Sequence, residues 1–160
     1  MRARNEAAFL SLLLVAFMAP SAVAGSAADD ATVDILADTI QANRKAMVAA
    51  NLRLEDAEAK EFWPVYDRYQ KDLALVNDRV VGIIGDYSKG FATMSDENAA
   101  QLIARFLAVE QERAELRQKY LGAFSGVLPG RKVARLYQIE NKMDAVVRFD
   151  LARAIPVIEP

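Results

Sequence analysis

The chain contains neither cysteine nor histidine. The lack of cysteine excludes disulfides, thiolate nucleophiles and cysteine-based zinc or iron–sulfur sites. The lack of histidine excludes Ser-His couples and imidazole metal ligands. Its 20 basic and 22 acidic side chains nearly balance, whereas dedicated nucleic-acid binders carry a clear basic excess. We therefore expect no nucleic-acid partner, no cofactor, no specific metal site and no catalysis, since no G-x-S-x-G nucleophile elbow is present either.

Only one long apolar run occurs, at residues 7–19, and it follows a short basic start. It spans 13 residues, whereas a membrane-crossing helix needs about 20. Small residues at Ala22 and Ala24 then occupy the positions that a signal peptidase reads. We predict a secretory signal peptide at residues 1–24, cleaved after Ala24, and no stable membrane insertion afterwards. An uncleaved anchor or a buried N-terminal helix is the alternative.

Proline and glycine are sparse, at 5 and 7 residues, and apolar side chains recur at helical spacing. After a flexible leader at 25–31, the pattern predicts one all-helical domain at 32–155 and an extended tail at 156–160. The helices are expected at 32–50, from about 56 to 88, at 96–125 and at 131–154.

The second helix has the clearest periodicity, because its apolar residues are spaced alternately four and three apart. Such a heptad seam indicates a long helix packed at a shallow angle against another. Pro64 interrupts the seam and predicts a kink or a restart of the helix. Trp63 lies off the seam, whereas Tyr66 and Tyr69 are expected in the core. The seam comprises Phe62, Tyr66, Tyr69, Leu73, Val76, Val80, Ile83 and Tyr87.

The last two helices each show an apolar stripe, and in the fourth an Asp144–Arg148 pair is expected at i,i+4. Four striped helices with short connections, two of them long, predict an all-α antiparallel hairpin or bundle. The stripes consist of Ala99, Leu102, Phe106, Val109, Leu116 and Tyr120, and of Val133, Leu136, Met143, Val147 and Leu151.

Two predicted helix starts resemble each other. Each has an apolar residue, then a capping position, then a side chain three residues later that is placed to fold back on the helix end. The matching positions are Leu54, Glu55 and Glu58 in one copy, and Met94, Ser95 and Asn98 in the other.

This pair of L-T-x-x-Q-like starts, in a small exported all-α chain, resembles the Spy/CpxP superfamily of periplasmic stress proteins. Residues 61–69 (EFWPVYDRY) are similar to the F-W-P-x-Y-x-x-Y signature of a proteobacterial branch without assigned function, as is the block at 138–145. The resemblance implies a hooked helical hairpin that pairs into a cradle-shaped homodimer in the periplasm. It also implies an ATP-independent chaperone or envelope-stress protein that holds unfolded or partly folded clients.

A basic area around the third turn, beside apolar side chains, is our candidate for holding such clients. A solvated helix face is the alternative for these charges. For the polar residues Gln138, Glu140, Asn141 and Asp144, a network that fixes helix register and a recognition face both remain open. The candidate client-binding residues are Trp63, Arg113, Arg117, Arg131 and Arg135.

A second functional class is an adaptor or sensor domain that acts on a membrane signalling partner. Within the resembled superfamily, a heavy-metal-responsive sensor is a further possibility. Metal-handling relatives rely largely on histidine, which this chain lacks. The holding function is therefore the first hypothesis and the adaptor is the alternative.

Overall fold

The computed structural model describes residues 43–158, and every regular element in that range is helical. Helix α1 is described over residues 43–52, and a 3-10 turn at Phe91–Thr93 follows the second helix. The predicted signal peptide, the leader and the first part of the predicted helix at 32–50 lie outside the described residues, as do the last two residues of the tail. The remaining helices are α2 (Asp56–Gly90), α3 (Asp96–Ser125) and α4 (Gly130–Ala154).

Helices α2 and α3 pack antiparallel along their length. Midway along α2, Asp72 accepts a hydrogen bond from the Tyr120 hydroxyl at 2.8 Å. Near its end, Asp86 pairs with Arg105 at 2.8 Å. Residues later in α2 therefore contact residues earlier in α3, so the two helices are antiparallel.

Helix α4 runs antiparallel to α3 and in the same direction as α2. Arg148 of α4 pairs with Glu110 of α3 at 3.0 Å. Beyond the helix, the Pro156 carbonyl accepts a hydrogen bond from the Tyr87 hydroxyl at 2.6 Å. The tail therefore fastens the end of α4 to the end of α2.

The core is divided unevenly along the helices. The lower half of the molecule, which contains α1, the starts of α2 and α4 and the end of α3, holds the main core. The upper half, which contains the end of α2, the start of α3 and the end of α4, holds a small core of Val76, Ile83 and Val109. The buried residues of the main core are Val48, Leu52, Phe62, Val65, Tyr66, Tyr69, Leu73, Tyr120, Phe124, Leu128, Val133 and Leu136.

The aromatic seam of α2 is confirmed, because Tyr66 and Tyr69 are 0% and 2% exposed. The predicted restart at Pro64 is wrong: α2 is one helix that passes through this residue. Pro64 removes one backbone donor but lies on the exposed side. The flanking Phe62 and Val65 are buried, and their packing holds the helix together across the proline.

Both predicted helix starts are the N-termini of helices in the structure. The Ser95 hydroxyl accepts a hydrogen bond from the Asn98 backbone N–H at 3.2 Å. At the other start, the Glu58 carboxylate accepts one from the Glu55 backbone N–H at 2.9 Å. The motif's apolar residues are half-buried, with Leu54 packed against the main core and Met94 just before α3.

Arg53, between α1 and α2, adopts a φ of 54°, in the left-handed region. A single left-handed residue after a helix end reverses the chain within a short link. This conformation lets only three residues link the end of α1 to the start of α2.

Three predictions for the upper half are wrong. Phe106 and Val147 were expected in the core stripes but are 39% and 44% exposed, because the upper half has few side chains to cover them. Arg148 does not pair with Asp144, since it reaches across to Glu110 of α3. Asp144 is instead buried and paired with other helices.

Candidate functional site

The most densely bonded polar group in the described residues is a cluster inside the lower half. Its centre is the Glu140 carboxylate of α4, which is 2% exposed as a residue. Glu140 accepts hydrogen bonds from the Tyr66 hydroxyl at 2.6 Å, from an Arg44 Nη at 2.7 Å and from Gln70 Nε2 at 3.3 Å. Arg44 also donates to Asp144, one turn further along α4. We call these five residues the polar cluster.

Helical spacing brings the cluster together. Tyr66 and Gln70 are four residues apart on α2, and Glu140 and Asp144 are four apart on α4, so each pair shares one helix face. Arg44 comes from α1 and enters between the two carboxylates. Arg117 of α3 approaches Asp144 at 3.7 Å, so all four helices contribute charge or polar groups.

Burial sets the electrostatics of the polar cluster. Burial raises the pKa of Glu140, although the Tyr66 hydrogen bond and the Arg44 charge oppose the rise. Burial and the adjacent Glu140 also raise the pKa of Tyr66, so its hydroxyl remains a donor. Burial lowers the pKa of Arg44, but the hydrogen bond to Asp144 and the charge of Glu140 outweigh it and leave that pKa raised.

The polar cluster has the properties of a structural tie between helices. Its carboxylate oxygens are occupied by arginine, tyrosine and amide donors, and it lies within the helix interfaces. Glu140 and Asp144 therefore form part of an internal network, whereas Gln138 and Asn141 point to the exposed side of α4. Within residues 43–158 no group of three potential metal-ligating side chains comes together.

The four predicted client-binding arginines fall into two separate places. Arg113 and Arg117 lie on α3 with side chains only 12% and 24% exposed, and Arg117 approaches Asp144 of α4. Arg113 approaches Glu110 at 3.5 Å, and its buried Nε makes no hydrogen bond within the described residues. Arg117 lies over the Tyr137 ring at 5.6 Å.

The other two arginines lie on the exposed side at the start of α4. Arg131 is exposed, and Arg135 donates from Nε to the Asn51 carbonyl at 2.6 Å. That bond satisfies a carbonyl in the last turn of α1. Of the four predicted client-binding arginines, only this α4 pair lies at exposed positions.

Trp63 is half-buried between α1 and α2. Its ring meets Phe62 edge-on at 4.9 Å and Tyr66 edge-on at 5.7 Å. Lys45 of α1 lies over the same ring at 5.2 Å. Trp63 thus supports the attachment of α1 and presents only part of its ring to solvent.

The upper half carries exposed apolar side chains that the sequence analysis did not identify as a site. Ile103 and Leu107 of α3 are each 60% exposed, and Phe149 of α4 is 61% exposed. The Glu110–Arg148 ion pair joins α3 and α4 here, so Leu107 and Phe149, three and one residues from it, lie at the same level. We call Ile103, Phe106, Leu107 and Phe149 the upper apolar surface. The i,i+4 spacing of Ile103 and Leu107, outside the core stripe, was the available signal.

A shallow groove of about 350 Å³ lies on the α2–α3 face of the upper half. Ile83 and Val109 form its floor, and Arg79, Arg105 and Glu112 stand at its rim. Both arginines already hold carboxylates, since Arg79 pairs with Glu112 and Arg105 with Asp86. The groove therefore offers little unsatisfied charge to a ligand.

No protein-family model, no curated protein and no solved structure matches this chain. Among the described helices, none combines the length and the apolar character needed to cross a membrane.

Proposed function

We propose that the chain is an exported, non-enzymatic binding protein that holds unfolded or partly folded proteins in the periplasm without ATP. This is the activity implied by the resemblance to the Spy/CpxP superfamily. In this proposal, two copies of the hooked helical hairpin pair into a cradle. The client contacts apolar side chains that the helices leave exposed.

The upper apolar surface is the observation that supports this proposal. Contiguous exposed apolar side chains are uncommon on monomeric proteins and are typical of interaction sites. Here they occur on two helices, beside Arg153, whose guanidinium lies over the Phe149 ring at 5.6 Å. Exposed apolar side chains next to a cation suit weak attachment to acidic, unfolded segments.

The test is suppression of aggregation of an unrelated, chemically unfolded client at a stoichiometric ratio. We expect the exported chain to suppress aggregation and the double variant Ile103→Ser, Leu107→Ser to lose most of that effect. The matched control is Leu75→Ser, Val81→Ser, which removes an equally exposed pair from α2, where these side chains are 55% and 66% exposed. The control should retain suppression.

Two results would contradict the proposal. Failure of the unchanged chain to suppress aggregation removes the holding function, and equal loss in both variants removes the assignment to the upper apolar surface. Light scattering and small-angle X-ray scattering test the cradle separately, because a compact monomer would exclude it. A pull-down from envelope extracts that yields one dominant partner would favour the adaptor alternative.

A further inference from the structure

The last part of α4 buries very little of its own surface. Within residues 145–153 every residue is exposed except Leu151, which is half-buried. The largest of these side chains, Phe149, is 61% exposed. In the part of the chain that the structure describes, no residue after Met143 contributes an apolar side chain to either core. We call residues 145–158, the end of α4 together with its tail, the arm.

The earlier part of the same helix is firmly anchored. Val133 and Leu136 are 4% and 1% exposed and belong to the main core. Glu140 and Asp144 are buried in the polar cluster, where Arg44 binds both. The change from a buried to an exposed helix therefore falls directly after Asp144.

Two polar contacts hold the arm against the other helices within residues 43–158. Arg148 pairs with Glu110 of α3 at 3.0 Å, but its side chain is 54% exposed, and exposed ion pairs contribute little to stability. At the far end, the Tyr87 hydroxyl of α2 donates a hydrogen bond to the Pro156 carbonyl at 2.6 Å. That hydrogen bond is the contact that ties the arm's end to the rest of the fold.

Segments with few buried apolar contacts and exposed hydrogen bonds open at a much lower free energy than the whole protein unfolds. The arm has both properties, whereas the part of α4 before it has neither. A hydrogen bond at the free end of such a segment must break before the segment can leave its neighbours. The arm is therefore built to open separately, with its control point at Tyr87.

We propose that the arm opens and closes as one unit after Asp144, and that the Tyr87–Pro156 hydrogen bond is its latch. Opening carries Phe149 away from the members of the upper apolar surface that lie on α3. The arm thereby sets the width of the surface that a client contacts. This last consequence rests on the proposed function, whereas the opening and the latch do not.

Amide hydrogen exchange of the free chain, followed by NMR, tests the opening. We expect the amides of residues 149–155 to share one protection factor, because they become accessible in the same event. That factor should lie more than about 100-fold below the protection of residues 137–143, which precede the arm in α4. Equal protection of the two segments would overturn the proposal. A gradual fall of protection toward residue 155 would also overturn it, because it would show simple fraying of a helix end.

Tyr87→Phe tests the latch, since it removes the hydroxyl and keeps the ring that contacts Phe91 at 5.5 Å. We expect the protection of the arm to fall about fivefold, the effect of losing one hydrogen bond, while residues 137–143 stay unchanged. The matched control is Tyr137→Phe, which removes a hydroxyl that donates to the Arg117 carbonyl at 2.5 Å, before the arm begins. An unchanged arm in Tyr87→Phe, or an equal fall in both variants, would overturn the latch.

Exchange in the presence of a chemically unfolded client separates the arm from the holding function. A client that contacts both Phe149 and α3 should slow the exchange of the arm. Suppression of aggregation without such slowing would overturn the claim that the arm sets the width of the upper apolar surface. Failure to suppress aggregation would contradict the holding function, and the exchange of the free chain would still decide whether the arm opens.

Discussion

The lower and upper halves of this molecule use the same helices but are held together differently. In the lower half, α1, α2, α3 and α4 surround a main core with seven aromatic rings in contact from Phe62 to Tyr137. In the upper half, the small core consists of three buried side chains, and ion pairs such as Arg105–Asp86 connect the surfaces. Since burial of apolar area supplies most of the stability of a fold, the lower half is the stable part.

The difference also separates two roles for charge. In the upper half, Arg79 and Arg105 make exposed ion pairs, which contribute little because water already solvates both partners. In the lower half, Arg44 is bound to two buried carboxylates that would lose solvation without it. Charge is therefore essential inside the lower half and largely dispensable on the upper half.

The largest expected effect is the loss of the buried cation. Arg44→Met leaves Glu140 and Asp144 buried without their main partner, and we expect it to reduce the free energy of unfolding by about 3–5 kcal/mol. The control is Lys45→Met on the same helix, which removes an exposed ion pair with Asp67 and a cation–π contact with Trp63 and should cost about 1 kcal/mol. Urea unfolding followed by circular dichroism measures both. Similar losses of stability in the two variants would show that burial of the polar cluster does not increase the contribution of its ion pairs to the free energy of unfolding.

Cavity-forming substitutions sharpen the comparison of the two cores. Phe62→Ala in the main core should cost about 3–5 kcal/mol, because its ring is 0% exposed and contacts Trp63, Tyr66 and Phe124. Ile83→Ala in the small core should cost about 2 kcal/mol, the low end for such a change, because few buried neighbours surround it. Thermal and urea unfolding would show which of the two substitutions lowers the free energy of unfolding more. A larger loss for Ile83→Ala would reverse the assignment of the stable half.

The smallest expected effect is a pH dependence that arises in the polar cluster. Burial raises the pKa of Glu140 above its ordinary value of 4.5, so the folded state holds this proton more tightly than the unfolded state. The contribution of Glu140 to stability is therefore fully present below pH 4.5 and is lost as the pH rises through its folded-state pKa. The groups that face this carboxylate are Arg44, Tyr66, Gln70 and Asp144.

Glu140→Gln isolates that dependence, because the amide does not titrate. Relative to this variant, the unchanged chain should gain stability as the pH falls from neutral toward 4.5, as measured by urea unfolding at a series of pH values. Glu97→Gln, at an exposed position in the first turn of α3, is the matched control. If the Glu140→Gln curve runs parallel to that of the unchanged chain, Glu140 does not bind its proton differently in the two states.

Much of the fold could be predicted from the sequence, since periodicity reports directly on which side chains a helix buries. The bounds Asp96–Ser125 of α3 agree with the prediction, and the seam of α2 predicts its buried aromatics. The prediction failed at Phe106 and Val147, because an apolar stripe shows which face turns inward but not how many neighbours cover it. Of the kink or restart predicted at Pro64, the restart does not occur for a related reason: packing on both sides of a proline can outweigh one missing hydrogen bond.

The candidate sites were harder to predict. The sequence singled out Glu140 and Asp144 as one face of α4, but the cation that binds them, Arg44, is about 100 residues away in the chain. Local spacing therefore suggested Arg148, which pairs with Glu110 of α3 in the structure. The positive charges of Arg113 and Arg117 were also visible in the sequence, whereas their partial burial on α3 depends on tertiary packing.

The position of Arg44 in the chain has a consequence for how the protein forms during synthesis. A chain is made from its N-terminus, so α1 emerges early, whereas Glu140 is 96 residues further on. Arg44 can bind Glu140 and Asp144 only after almost the whole chain has been synthesised. Helices α2 and α3, which are adjacent in sequence, have partners available sooner. The bonds of Arg44 to Glu140 and Asp144 can therefore form only after α4 has been synthesised, so they are late contacts in the formation of the fold.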